Sequence, residues 1–317
     1  MNVARVEIAT MEPLHGGAVR RHWRVDARVD GIAQSFVLRA NGLTPLGFGL
    51  ELGEEFVLLR VLADETIPVP PPIAFSDDAA LVGSPFHLTR LMRGSADPAA
   101  IVAAPANEDL AVALGATLAA LHRIRPPRAA LAFLGRAPAD PAAAARARYA
   151  ALLERTGEAR PIAAWALRWL ARHAPEPSPP VLCHGDFRTG NYLADAGRLV
   201  AILDWEFAHW GDPASDLAWF CARFWRFGQD RRAAGGIADR AVFLGAYEAA
   251  GGHPVDEVRL HYWEVMSALK WLAIALLQRD RFLRGGERNL DLALTGRRAA
   301  ECEFELLRLM EDDARPA

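Results

Sequence analysis

The chain has 317 residues, 52% of them hydrophobic and 24% charged, with a formal net charge of −3 at pH 7. That balance belongs to a globular protein with a sizeable core, arranged as one large domain or two lobes, and excludes a disordered chain. The slightly acidic total gives no general attraction to nucleic acid, and three cysteines without a CxxC pair suggest neither a disulfide framework nor a zinc site.

At the start, Arg5 and Glu7 interrupt the apolar run that a signal peptide needs, so no export is expected and the cytoplasm is the expected location. Alternating residues predict strands over Arg5 to Ala9, His22 to Val29 and Ala33 to Leu38, with Asp30-Gly31 as the hairpin turn between the last two. From Glu51 to Leu62, Leu52, Phe56, Leu59 and Leu62 recur at helical spacing. The prolines from Pro68 to Pro72 then force an extended chain, because each fixes its own φ and biases the residue before it away from α. Strands follow near Ile73 to Phe75 and Phe86 to Leu91.

Arg93-Gly94-Ser95 reads as a linker, which divides the chain into two lobes, 1–92 and 93–317. Beyond it the composition shifts to Ala, Leu and Arg at helical spacing. Helices are predicted near Glu108 to Ile124, Pro141 to Arg155, Ile162 to His173, Pro213 to Phe227, Ile237 to Ala250, Val255 to Arg279 and Leu290 to Glu311. Two apolar runs, Val181-Leu182-Cys183 and Leu199 to Leu203, read as short strands, with Asp195-Ala196-Gly197 as a turn. The apolar stretch from Tyr262 to Leu277 is interrupted by Glu264 and Lys270 and is too short for a membrane span, so it is expected as a buried helix.

Between those two strands lie Asp186, Asn191 and, at the end of the second, Asp204. Transfer of a γ-phosphoryl group needs a carboxylate beside the attacking hydroxyl and oxygen ligands that hold Mg²⁺ on the nucleotide phosphates, and these three residues supply such groups in order. The competing reading is a surface loop in which Asp186 and Asn191 only stabilise turns, the commonest task of both residue types. Three ordered polar residues in a strand-loop-strand context favour the chemical reading.

The segments His184-Gly185-Asp186-Phe187-Arg188-Thr189-Gly190-Asn191, Ile202-Leu203-Asp204-Trp205-Glu206 and Gly211-Asp212-Pro213 with Asp216 resemble the aminoglycoside phosphotransferase and choline kinase-like superfamily. Within it the chain looks closest to the phosphotransferase-like domains fused to acyl-CoA dehydrogenases. The resemblance implies an α+β, protein-kinase-like two-lobe fold, with a small antiparallel-sheet lobe carrying one helix and a larger, mainly helical lobe. It implies ATP as phosphoryl donor, with GTP left open, and Mg²⁺ as the metal.

Residue by residue, the resemblance makes Asp186 the catalytic carboxylate and Asn191, five residues on, a metal ligand. Asp204 becomes the second metal ligand, although Trp205-Glu206 stands where protein kinases have Phe-Gly. Arg188 either neutralises charge on the transferred group or is a surface arginine. His184 is expected to pack beneath the loop and to hydrogen-bond backbone. Asp216 is expected to brace that loop through backbone N–H groups, and neither it nor Asp212 is assigned to chemistry.

In the first lobe, Gly16 and Gly17 match the loop over the phosphates. Arg39 takes the place of the usual strand lysine, since Lys270 is the sequence's single lysine. Glu55, in preference to Glu54, matches the helix glutamate that pairs with that cation. Arg90 stands in the hinge segment that meets the nucleobase.

Trp263, Met266, Lys270 and Trp271 lie at helical spacing and read as core before they read as an acceptor pocket, and the same holds for Trp219, Phe220, Phe224 and Trp225. Many arginines follow Phe220, among them Arg223, Arg226, Arg231, Arg232, Arg240, Arg259 and Arg279. Charge complementarity therefore favours a neutral or anionic hydroxylated acceptor, such as a hydroxy acid or acyl-linked hydroxyl, over a polycationic antibiotic. The expected partners are that small molecule and a nucleoside triphosphate, with no nucleic acid and no membrane, in a monomer or weak homodimer. An antibiotic kinase and a nucleotide-binding pseudokinase are the alternatives, and a protein kinase ranks last for want of an Ala-Pro-Glu segment.

Overall fold

The structure is a computed structural model and describes residues 5–14, 20–42, 49–105 and 107–311. The first part is an antiparallel sheet of five strands: β1 (Val6–Leu14), β2 (Arg20–Val29), β3 (Ile32–Asn41), β4 (Pro72–Ser76) and β5 (Phe86–Arg90), in the order β1-β2-β3-β5-β4. β2 and β3 form the hairpin predicted at Asp30-Gly31, where both residues take positive φ (48° and 83°), the requirement of a tight primed turn. The register sets Phe36 against Arg90 and Arg39 against His87, so Arg39 and Arg90 project from opposite faces. One face carries Val25, Ala27, Phe36, Leu38 and Ala40 as a small apolar cluster.

A single long helix crosses the sheet, α1 (Leu52–Asp64), opened by a capping box between Glu51 and Glu54. Its buried side carries Leu58, Leu59 and Leu62, which join the large core of the later helices rather than the small cluster under the sheet. Glu55 is buried on that same side, 2% exposed, and a carboxylate in such a place must be paired.

One short helix, α2 (Ala79–Val82), lies between β4 and β5; after β5 come α3 (Pro98–Ala103), α4 (Glu108–Leu121), α5 (Pro141–Glu154) and α6 (Pro161–Arg172). The strands β6 (Val181–Cys183) and β9 (His209–Gly211) form one ladder, and β7 (Tyr192–Asp195) and β8 (Arg198–Ile202) another. Helices α7 (Pro213–Cys221), α8 (Arg240–Ala249), α9 (Glu257–Leu283), α10 (Leu290–Arg297) and α11 (Ala299–Met310) complete the fold. The small sheet with one crossing helix and the larger, mainly helical part make the α+β two-lobe arrangement that the resemblance implies.

Several boundaries differ from the sequence reading. β1 runs on to Leu14, α4 stops at Leu121 and α9 runs on to Leu283. The helix expected from Pro213 to Phe227 ends at Cys221 and continues as a separate 3-10 turn, because Ala222 adopts an extended ψ of 142°. The helix expected from Ile237 starts at Arg240, since Ala234 and Ala238 form a bridge instead. The last helix is two, which meet at Arg298. β7 and β9 fall outside every run read as strand; at four and three residues they are too short to show a periodicity. The Tyr262 to Leu277 stretch is buried within α9, and among the described residues no helix is long and apolar enough to cross a membrane.

Candidate active site

The loop between β6 and β7 carries the candidate chemistry. Gly185 has φ +78°, and a Cβ there would meet the Phe207 carbonyl oxygen at 2.2 Å, so only glycine lets the chain turn this close to the backbone of the 3-10 turn Trp205–Phe207. Asp216, from α7, accepts the backbone N–H groups of His184 (2.7 Å) and Gly185 (2.9 Å) and lies 3.3 Å from His122 Nε2. Burial works to raise the Asp216 pKa, but the His122 hydrogen bond and charge, with the loop N–H groups, bring it down to about 2. His184 donates from Nε2 to the Leu203 carbonyl (2.9 Å) and accepts the Asp186 N–H at Nδ1 (3.1 Å), so its ring fastens the loop to the end of β8. His122, Cys183 and Asp216 place donor atoms within 4.8 Å of one another, but Asp216 is occupied by the loop and His122 Nδ1 by the Tyr247 hydroxyl (2.9 Å). The cluster braces the loop.

Held in this way, Asp186 is 8% exposed with both carboxylate oxygens fixed. Oδ1 accepts the Trp219 indole N–H at 2.8 Å. Oδ2 accepts an Asn191 amide N–H at 2.6 Å and lies 3.3 Å from Arg188 Nε. Asn191 Nδ2 also donates to the Asp186 carbonyl (2.9 Å), which assigns the amide nitrogen and leaves Oδ1 as the atom able to face a cation. Lys270 of α9 donates to the Gly185 carbonyl and sits 3.8 Å from the Trp219 ring centroid, while Arg188 lies 4.6 Å over Trp225. Burial depresses the Lys270 pKa to about 8, only partly offset by Asp186 and Asp216.

Asp204 lies two residues past β8, just before the 3-10 turn Trp205–Phe207, in the left-handed region (φ 65°, ψ 63°), a conformation that Asp tolerates and most residues do not. Arg39 Nη2 donates to its Oδ1 at 2.5 Å. Arg39 also lies 3.3 Å from Glu55 Oε2, at ion-pair distance without hydrogen-bond geometry, and 3.6 Å from Glu206 Oε2. Burial opposes the Arg39 charge, but Glu55, Asp204 and Glu206 together raise its pKa well above the ordinary value. Burial likewise works against the charges of Glu55 and Asp204, and Arg39 outweighs it, holding Glu55 below the usual range and Asp204 at about 2. Glu206 goes the other way, raised by burial and by its neighbour Asp204 against the pull of Arg39 and Arg20. Two acids beside one another with opposite shifts leave one ionised oxygen donor set on Asp204, which is what a hard cation requires.

Similarity to known proteins agrees with this geometry. Residues 10–255 match the model of the phosphotransferase enzyme family. The chain belongs to that family. By family it is a phosphotransferase. Among curated proteins, the phosphotransferase is 27% identical over 190 residues to acyl-CoA dehydrogenase family member 10 of Mus musculus, a stretch of 58% of this chain and 17% of that protein. It is 28% identical over 197 residues to acyl-CoA dehydrogenase family member 11 of Gallus gallus, covering 59% and 25% respectively. The matched stretch is thus a quarter or less of these relatives' length. Among solved structures, a putative aminoglycoside phosphotransferase from Ralstonia eutropha superposes with a TM-score of 0.74 at 21% identity, covering 96% of this chain and 93% of the other. The GDP complex of aminoglycoside 2'-phosphotransferase-IIIa gives 0.66 at 17% identity, covering 97% and 94%.

The structure brings Asp186, Arg188, Asn191, Arg39, Glu55 and Asp204 of the phosphotransferase into this neighbourhood, with Glu54 in the helix cap instead. It does not bring Arg90 there. That side chain bonds Gln34 Oε1 at 2.7 Å and covers Phe36 on the sheet face opposite Arg39, because Phe36 and Arg39 stand an odd number of positions apart on β3. Gly16 and Gly17 lie outside the described residues. Sequence reasoning treated Trp219 and Lys270 as core before function, and it did not single out Arg20 or Glu206. Among these, the sequence's single lysine was the available signal.

Proposed function

We propose that this phosphotransferase moves the γ-phosphoryl group of ATP, with Mg²⁺, to a hydroxyl of a neutral or anionic small molecule, a hydroxy acid or acyl-linked hydroxyl. The observation that carries the reading is the Asp186 carboxylate, fixed on one oxygen by the Trp219 indole and on the other by Asn191. Phosphoryl transfer asks a protein mainly for positioning and charge stabilisation, and a carboxylate that cannot rotate orients an acceptor hydroxyl and receives its proton late in the transfer. Arg188, beside Asp186, supplies positive charge where it develops on the transferred group.

Asn191 Oδ1 and the Asp204 carboxylate fit Mg²⁺, which accepts few protein oxygens and otherwise keeps water and phosphate. When bound, the metal neutralises charge on the nucleotide phosphates. Arg39 orients the Asp204 carboxylate and brings a cation to the phosphates in place of lysine, while Glu55 fixes Arg39.

Support for an uncharged or anionic acceptor no longer comes from the arginines after Phe220. Arg223 pairs with Asp230, Arg240 with Glu257 and Glu264, Arg259 with Asp212 and Arg279 with Glu158, while Arg226 and Arg232 bond backbone carbonyls. They hold the fold. The acyl-linked alternative draws on the names of the curated relatives, acyl-CoA dehydrogenases. ADP release from Mg-ATP across a panel of hydroxy acids, amino alcohols, sugars and aminoglycosides tests the reading, with Asp186→Asn as control. Acceptor-dependent release lost in the control is the expected result; Mg-ATP binding without transfer to any acceptor or to water would favour a pseudokinase.

A further inference from the structure

A cavity of about 230 Å³ opens among the segment leading into α5, α5 itself, β9 and α9. Two arginines line it, Arg136 and Arg148, and no carboxylate does. Both are exposed, and among the described residues neither has an ion-pair partner or a hydrogen bond. Tyr149 and Trp263 add a phenol and an indole to the wall. Trp263 is 4% exposed, and among the described residues its indole N–H has no acceptor, a buried donor left unpaired. Burial pushes the Tyr149 phenol up to about 12 against the pull of Arg148, so it too is a donor at neutral pH.

His209 supplies the other polar wall. Its Nδ1 lies 2.9 Å from the Phe207 carbonyl and therefore carries a proton, and burial lowers its pKa to about 4, so the ring is neutral at pH 7. Hence the cavity gathers guanidinium, indole and phenol donors against no negative charge. A void of about 20 Å³, room for about one water, shares Tyr149, His209 and Trp263 with the cavity and reaches Gly185 and Lys270 on its far side. The cavity is therefore one layer of side chains from the loop that presents Asp186.

We propose that this cavity is a recognition site for a carboxylate or phosphate group of a small organic molecule, held by Arg136 and Arg148 with the Trp263 indole N–H. Unpaired arginines present planar donor pairs that match both anions, and a buried unpaired N–H gains most from an acceptor. The anion is either the far end of the hydroxylated acceptor, in which case the site rests on the phosphotransfer reading above, or a separate ligand.

The test uses the full chain saturated with Mg-ADP, which fills the nucleotide site, titrated calorimetrically with malate and with inorganic phosphate. Wild type is expected to bind at least one, and the R136Q/R148Q double variant about tenfold or more weakly, as loss of charged hydrogen bonds implies, with Mg-ADP affinity unchanged. The altered residues are exposed, so the variant is expected to fold. Absence of binding by wild type, or equal binding by the double variant, overturns the proposal. Kinetics separate the two sources. If malate drives ADP release from Mg-ATP and its KM rises in the variant while kcat is kept, the anion is the acceptor's own end; binding without release identifies a separate ligand. Loss of Mg-ATP binding or of all transfer by wild type strikes the phosphotransfer mechanism and leaves the calorimetric result standing.

Discussion

Asp186 is fixed by groups from two other parts of the chain, and its environment makes separable predictions. Asp186→Ala is expected to lower kcat by about 10²–10⁴, the usual contribution of general-base catalysis, with the thermal midpoint nearly kept; turnover close to wild type would end its assignment. Trp219→Phe keeps the ring beneath Lys270 but deletes the N–H to Asp186 Oδ1. A fall in kcat of about tenfold with KM for nucleotide unchanged is the expected signature, read in steady-state kinetics. Asp216 gives a pH prediction. Its folded-state pKa of about 2 lies below the ordinary value of 3.8, so it contributes stability above that value which is lost as pH falls toward 2. Asp216→Asn should therefore cost on the order of 2 kcal/mol at pH 7 and progressively less below pH 4, checked by denaturant titration across that range.

At the scale of elements, the loop that presents Asp186 is held because β6, the residues after β8 and α7 meet beneath it. β6 pairs with β9, so Cys183 lies opposite His209, and the chain then has one residue, Gly185, in which to turn over the 205–207 segment. Gly185→Ala meets both a forbidden contact and a positive φ. A loss of about 1–3 kcal/mol or more in stability, together with loss of activity, is expected in thermal melts and assays; an unchanged midpoint would show that the loop relaxes freely. The helix α1 has a parallel logic: Glu55 interrupts an otherwise apolar side because that side faces Arg39 as well as the core. This irregularity was legible in the sequence, since a glutamate on an apolar stripe requires a partner. The identity of the partner was legible only through the family resemblance, for no local spacing links residues 39 and 55.

Across the molecule, a buried charge cluster joins the sheet-bearing part to the helical part. Arg20 of β2 donates to Glu206 (3.2 Å) and to the Leu50 carbonyl (2.5 Å), Leu50 N–H donates to the Glu206 carbonyl (2.7 Å), and Arg39 reaches Asp204. Breaking one member of such a cluster leaves a partner charge buried, whereas a bound Mg-nucleotide would add to its stabilisation. Mg-ATP at about 100 times its Kd should stabilise wild type by about 2.7 kcal/mol, seen as a rise in melting temperature, and Asp204→Ala should abolish most of that rise. An equal rise in the variant would remove Asp204 from the nucleotide site.

The order of strands and helices, the turn at Asp30-Gly31 and the segment from His184 to Asp204 were determined locally, because periodicity, turn residues and a short polar motif act over a few positions of chain. Boundaries failed where a residue answered to a distant contact, as at Ala222 and Arg298. What only the tertiary structure decided lies in pairs far apart in sequence: Trp219 with Asp186, Lys270 with Gly185, Arg39 with Asp204, and Arg90 turned away from all of them. Strand register and helix docking set those distances, and neither is written in the spacing of any single segment.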